Sequence, residues 1–370
     1  MDHVDAYELA IKRILDLSTK DATSAIAREN AALGLKRIIW AYNLVGNKNP
    51  DVSLVALPDF TITRNALRWQ AGFSYGCVLQ LDSGVDPLIP VNFRPNACGV
   101  ALAKIGEESE NYDTIIQRFR KTIEKHDAIS SDDFNRRNHF LALLRNDDAY
   151  YVLLHGSFGF IKKDTRYGPG LYSEQTDFWK EKYRRLGPPG QEDYFLVGED
   201  AEKYHETYLQ HESLTMEIRE KVILDVFPEA EFVFHSTHEG FAGINTLLLG
   251  AYVERTPFEF PLMVAPDKNI PMITNNKSLR ELTNDQWSID LYAAPHGAGY
   301  AIDDVATATT SACGLDDTYE LQYENGATMY CRGIQNTMLS YRKETEEFWC
   351  ERIGAGNKTF DMSPLMFAKV

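Results

Sequence analysis

The runs VSLVALP (52–58), FSYGCVLQL (73–81), PLIPVNF (87–93) and CGVALAKI (98–105) decide the fold class. Each is short and apolar, and turn-forming residues separate them, so their spacing predicts a cluster of strands. Before this cluster, apolar and charged positions recur at helical spacing from Tyr7 to Trp40. After it, Asn111 to Lys125 reads as an amphipathic helix. Ser130 to Arg145 reads as a second, with Ser131 or Asp133 as its N-terminal cap.

The strand AYYVLLHG (149–156) follows, then a polar, Gly/Pro-rich stretch from Lys162 to Gln191 and a long helix from about Glu199 to Leu224. The second half returns to strands: EFVFHSTHEGFAG (231–243), TLLLGAYVE (246–254), PLMVAP (261–266) and SIDLYAAPHGAGYAI (288–302). A last helix is expected from Thr337 to Cys350. Strand clusters interrupted by helices, without regular alternation, predict an α+β domain rather than a doubly wound one. The 162–191 stretch is expected to be a surface insertion or lid.

The chain has 370 residues and a formal charge of −16. Phosphate contacts need Lys and Arg, so this charge opposes general nucleic-acid binding, although a local basic groove can sit on an acidic body. Arg136 and Arg137, the run Lys182 to Arg185, and the basic residues between Arg118 and Lys125 are the candidates for one. No run has the apolar length that spans a bilayer, and the start MDHVDAYELAIKRIL is charged, which implies a soluble, cytoplasmic protein. Five widely spaced cysteines (Cys77, Cys98, Cys313, Cys331, Cys350) contain no CxxC pair. That argues against a disulfide framework and a zinc ribbon. A metal-binding cysteine must work here with residues of other types.

Histidines supply those types. His155 in LLHGSFG, His235 and His238 in FHSTHEG, and His296 in APHGAG sit in or at the ends of predicted strands, beside glycine or small residues. His139 opens the apolar run in RRNHFLALL, whereas His3, His126, His205 and His211 lie in polar surroundings and read as solvated. Imidazole and thiolate suit borderline metals such as manganese, iron, cobalt or zinc. Ligands projecting from rigid strands towards one point would make such a site. Taken singly, each histidine also fits as a core residue bonded to backbone, and Cys98 as a small buried hydrophobe. HGAG (296–299) offers an imidazole nucleophile on a turn whose glycines let backbone N–H groups approach a phosphate. It fits equally a tight turn with an exposed histidine.

The order of these segments resembles the RtcB family, GTP- and manganese-dependent ligases that join an RNA 3′-phosphate or 2′,3′-cyclic phosphate to a 5′-hydroxyl. PLIPVNFRPNACGVAL looks like the family's metal-cysteine strand and implies a ligand at Cys98. RRNHF resembles GGNHF, implying a metal ligand at His139 and a nucleotide contact at Asn138. LLHGSFG is similar to LHSGSRG, with its metal histidine at His155. FHSTHEGFA resembles the segment ending in HN, with His238 as ligand and His235 as the alternative register. PHGAG resembles the motif whose histidine is guanylylated, which makes His296 catalytic and Gly297, Ala298 and Gly299 nucleotide-binding. MLSYRKETEEF and the terminal SPLMFAKV imply nucleotide contacts at Tyr341 and Lys369.

The resemblance runs from about Val52 to the C-terminus. It implies one RtcB-like catalytic domain over 51–370, with mixed sheets flanked by helices around a metal cleft, behind a helical extension over 1–50. It also implies one or two Mn²⁺ ions, GTP, a GMP–histidine intermediate and RNA partners, hence tRNA splicing or RNA repair. The chain departs from the family at several positions. Pro95 replaces a metal-binding aspartate, and of the family's PDxHxG only Pro58 and Asp59 remain. Glu239 replaces an asparagine, Leu248 and Leu249 a basic pair, and Tyr300, Asp303 and Asp304 further polar or basic residues. Most lost groups bind phosphate, so a metal-dependent phosphoesterase or a non-catalytic metal- and nucleotide-binding relative is the alternative expectation. Glu239 is a candidate to replace the missing aspartate as an oxygen ligand.

Overall fold

The computed structural model describes residues 3–106, 111–130, 132–135, 139–310 and 318–369. Eight α-helices and six sheets mix among them without strand-helix alternation, so the fold is α+β. Two sheets carry the site. The larger is antiparallel and runs, edge to edge, through Glu231–Thr237, Gly99–Ile105, Tyr150–Gly156, Phe140–Arg145, Lys358–Ala368, Ile270–Asn275 and Phe258–Pro261. The other orders Ile14–Asp16, Ser53–Thr61, Tyr75–Gln80, Thr246–Leu249 and Glu239–Gly243.

The inner strands of the seven-stranded sheet are covered on both faces. Ala101, Ala103, Leu141, Leu143, Val152 and Leu154 join one apolar core, while Val100, Leu102, Ala142, Leu144 and Leu153 join another. A strand buried on both faces reads as a continuous apolar run, because neither face needs polar residues. This corrects the helix expected over 130–145. Among the described residues there only Asp132–Asn135 is helical, and Phe140–Arg145 is a strand paired with Tyr150–His155. Asp133 instead ties the turn, accepting the N–H groups of Ser130 at 2.9 Å and Gly159 at 3.1 Å. Ser131, Arg136, Arg137, Asn138 and Cys313 lie outside the described residues.

The helix expected over 337–350 is also corrected. Ser340–Tyr341 is extended against Tyr300–Ala301, and helical turns occupy only Thr345–Glu347 and Phe348–Arg352. Arg342 enforces the extended stretch, because its buried guanidinium bonds Asp21 and the carbonyls of Pro58, Phe60 and Tyr300. Before residue 50, helices His3–Lys12 and Ala22–Leu44 flank a strand, Ile14–Asp16, that pairs in parallel with Leu54–Ala56. Ala27, Ala31, Leu35 and Ile38 of the second helix belong to the first core.

The helix Glu199–Val226 packs Tyr204, Tyr208, Val222 and Ile223 into that core too. Within 162–191, Leu171, Tyr172 and Trp179 are buried in it, and Arg184–Leu186 pairs with Asp193–Val197. No helix among the described residues is long and apolar enough to cross a membrane.

Candidate metal centre

Four adjacent strands of the large sheet deliver the cluster. Cys98 immediately precedes Gly99–Ile105, His139 precedes Phe140–Arg145, and His155 sits in register with Val100 on one side and Phe140 on the other. His238 follows Glu231–Thr237, where Thr237 pairs with Gly99. Its own N–H continues the ladder by donating to the Cys98 carbonyl at 2.9 Å. All four side chains are therefore placed at one end of the sheet by backbone pairing. His238 is also the crossing point into the second sheet, since Glu239–Gly243 begins directly after it.

Donor atoms of Cys98, His155 and His238 lie within 4.8 Å of one another, and all three residues are buried. Cys98 Sγ is 3.3 Å from His155 Nε2, which is 3.2 Å from His238 Nε2. Bonds of roughly 2.0–2.3 Å around a tetrahedral ion imply donor separations of roughly 3.3–3.6 Å. Two ring nitrogens this close can share only one proton between them, and one cation satisfies both lone pairs and the sulfur together. The residues thus fit a metal ion. His139 adjoins the group, its Nε2 lying 3.6 Å from Cys98 Sγ. Its Nδ1–H donates to the Asp133 carbonyl at 2.7 Å. That bond fixes the tautomer and leaves Nε2 as the basic nitrogen, which is how outer contacts orient metal-binding histidines.

Electrostatics favour a neutral imidazole at His238. Burial, then the neighbouring His296 and His155 rings, push His238 well below the ordinary histidine range. Burial raises the Cys98 thiol, and Glu239 adds to this while Arg219 opposes it. Arg219 is itself lowered to about 10, chiefly by burial. Its guanidinium donates to the carbonyls of Ala97 at 2.9 Å and Gly156 at 3.1 Å, the residues flanking Cys98 and His155.

His235 lies outside the cluster. Its ring accepts from Arg219 Nε at 3.2 Å and meets Glu220 at 3.1 Å, so the ligand register falls on His238.

His296 stands beside this group rather than in it. Its ring stacks on His238 with centroids 4.5 Å apart and planes inclined by 27°. Asp59, fully buried, accepts the His296 Nδ1–H at 2.8 Å and the backbone N–H groups of His296 and Gly297 at 3.2 and 3.4 Å. The Ala298 N–H donates to the Met263 carbonyl at 2.9 Å. The turn's first three N–H groups are therefore spent internally. This corrects the expected open cradle for phosphate: the motif holds the imidazole. Tyr341 pairs with Tyr300 one residue beyond the turn, their rings 5.7 Å apart, with Arg64 over Tyr300 at 4.8 Å. Lys369 follows Ala368, which pairs with Leu141 at the sheet end carrying His139.

Other expectations need correcting. Glu239 is no ligand, because its buried carboxylate pairs with Arg68 and accepts the Tyr75 hydroxyl. Arg68 also holds the Phe93 and Arg94 carbonyls. His211 is not solvated: it is buried, bonding the Pro169 carbonyl at 2.8 Å and packing on Phe160. His205 is half-buried against Phe241.

Among the buried arginines, Arg68, Arg219 and Arg342 were not expected from the sequence. Arg219 grips carbonyls beside Cys98 and His155, Arg342 those flanking Asp59, and Arg68 pairs with Glu239, through contacts too distant along the chain for any local pattern to reveal. No protein-family model matches the sequence, and no curated protein matches it either.

Proposed function

We propose that this protein is a metal-dependent RNA ligase of the RtcB kind, joining RNA 3′-phosphate or 2′,3′-cyclic phosphate ends to 5′-hydroxyl ends in the cytoplasm with GTP consumed. The observation that carries this reading is His296, held through Nδ1 by Asp59 and stacked 4.5 Å from His238 of the Cys/His cluster. With Nδ1–H committed to Asp59, Nε2 keeps its lone pair and is the nucleophilic nitrogen. It attacks the α-phosphorus of GTP, forming a P–N bond as pyrophosphate leaves. A cyclic end is first opened by water, which breaks its P–O2′ bond and gives the 3′-phosphate. GMP then passes to the RNA 3′-phosphate oxygen, breaking the P–N bond, and the 5′-hydroxyl displaces GMP to seal the strand. Cys98, His155 and His238, with His139 alongside, would hold a cation, which when bound would supply neutralisation of phosphate charge. Tyr341, Lys369 and Asn138 are assigned to the nucleotide on the family resemblance, as is Gly299, whereas the N–H groups of Gly297 and Ala298 are already bonded to Asp59 and Met263.

One observation favours a phosphoesterase instead. Leu248 and Leu249 are buried in a strand where the family carries basic residues, which removes phosphate contacts. Incubation with α-labelled GTP and a divalent metal separates the readings. The ligase predicts an alkali-stable, acid-labile label on protein that is absent from His296→Ala. Hydrolysis of a cyclic-phosphate RNA without any label would instead establish the phosphoesterase.

A further inference from the structure

The cluster's donors are one thiol and imidazoles, and no carboxylate joins them. Among the described residues the group able to hold a metal is Cys98, His155 and His238. Neither of the two nearby buried carboxylates belongs to that donor group, although Asp59 Oδ1 has no hydrogen-bond partner of its own. Glu239 is paired with Arg68 and Tyr75, and Asp59 holds the His296 ring and two backbone N–H groups. Three residues before Cys98 stands Pro95, buried and without a donor atom in its side chain. A second ion beside the first would have as its own protein donors His139 and the neutral Ser157 hydroxyl, which lies 3.5 Å from His139 Nε2, with Cys98 shared.

We infer that this centre is mononuclear and selects a zinc-class ion (zinc, cobalt or iron(II)) over manganese. Manganese stands lowest in the divalent series for nitrogen and sulfur sites and is suited by carboxylate and water oxygens, whereas thiolate and imidazole select the later metals. Separations of 3.2 and 3.3 Å are the short edges of a small tetrahedral site. Three protein donors leave a fourth position for water or a phosphate oxygen, the pattern of catalytic rather than structural zinc. The inference rests on the metal part of the proposed function, replaces the manganese implied by the family resemblance, and is independent of GTP and RNA.

The test uses the full chain stripped with a chelator and reloaded, with no nucleotide present. Cobalt(II) should bind at one ion per chain by elemental analysis after gel filtration. It should give a thiolate-to-cobalt charge-transfer band and the intense visible bands of four-coordinate cobalt. Zinc should bleach these bands stoichiometrically, and manganese at roughly a hundredfold excess should not. Cys98→Ser should lose the charge-transfer band, and His139→Gln should still bind one ion. Should Cys98→Ser fail to fold, the wild-type stoichiometry and competition decide alone. Two ions per chain, manganese displacing zinc from an equimolar mixture, or cobalt bound without a sulfur band would each overturn the inference. One zinc-class ion without GTP labelling leaves it standing while the ligase reading fails. Two manganese ions with labelling do the reverse.

Discussion

The carboxylate of Asp59 receives the His296 Nδ1–H at 2.8 Å and the backbone N–H of the same residue at 3.2 Å, from a position fully shielded from solvent. A single buried acceptor thus sets both the tautomer and the orientation of the ring. Asp59→Asn keeps the shape but removes the charge and allows the amide to turn its NH₂ towards the ring. The expected result is a fall of up to about 10⁴-fold in the rate of GTP labelling, the order of loss when an Asp-to-Asn change leaves a histidine in the wrong tautomer, with the metal content unchanged. Quench-flow labelling across pH checks it, and an unaltered rate and pH profile would deny Asp59 this role.

Gly250 directly follows the second-sheet strand Thr246–Leu249 and lies against the His296 ring. Its φ is +68°, and a Cβ there would come within 2.7 Å of Tyr75 Cδ1 and 2.8 Å of His296 Cε1. Gly250→Ala should therefore displace His296 while sparing Cys98, His155 and His238. Backbone strain of this kind costs about 1–3 kcal/mol. Labelling should drop sharply, while elemental analysis still finds the metal. Loss of both together would mean that the ring and the metal group move as one.

Glu239 and Arg68 form a buried ion pair, each side chain 2% exposed. Removing one partner of such a pair leaves an uncompensated charge and costs about 3–5 kcal/mol. Glu239→Gln should lower the urea midpoint accordingly without altering the number of ions bound. A variant of undiminished stability but weakened metal binding would make Glu239 a ligand after all.

The sequence pointed to the clustered residues and most strands because both are local. Cys98, His139, His155 and His238 adjoin or sit in strands that backbone pairing aligns, so their order along the chain already implied convergence. It misled over residues 140–145, because a strand covered on both faces loses the alternation that marks strands. The buried arginines were invisible for another reason. Arg68 reaches Glu239, 171 residues away, and Arg342 reaches Asp21, 321 residues away. Solvated and buried arginines look alike in a sequence until the fold supplies their partners. That also bears on the acidic total charge, since part of the small cationic complement serves the interior.

Acid should destabilise the metal-free protein in a defined window. Burial and Arg219 lower His235 to about 3, and burial also depresses His211 and His238. In the unfolded chain these rings titrate near 6.5. Between that value and the folded ones the unfolded state binds more protons, so stability is complete above about pH 6.5 and falls as pH drops towards 3. The Glu220 carboxylate, 3.1 Å from His235 Nδ1, works against part of this for that one ring. Urea midpoints at pH 7, 6, 5 and 4 should decline steadily, and the decline should be shallower in His235→Gln. The measurement belongs on stripped protein, because protons also compete with metal for the imidazoles and would steepen the same slope. A midpoint constant from pH 7 to 4 would show that these histidines are protonated in the folded chain.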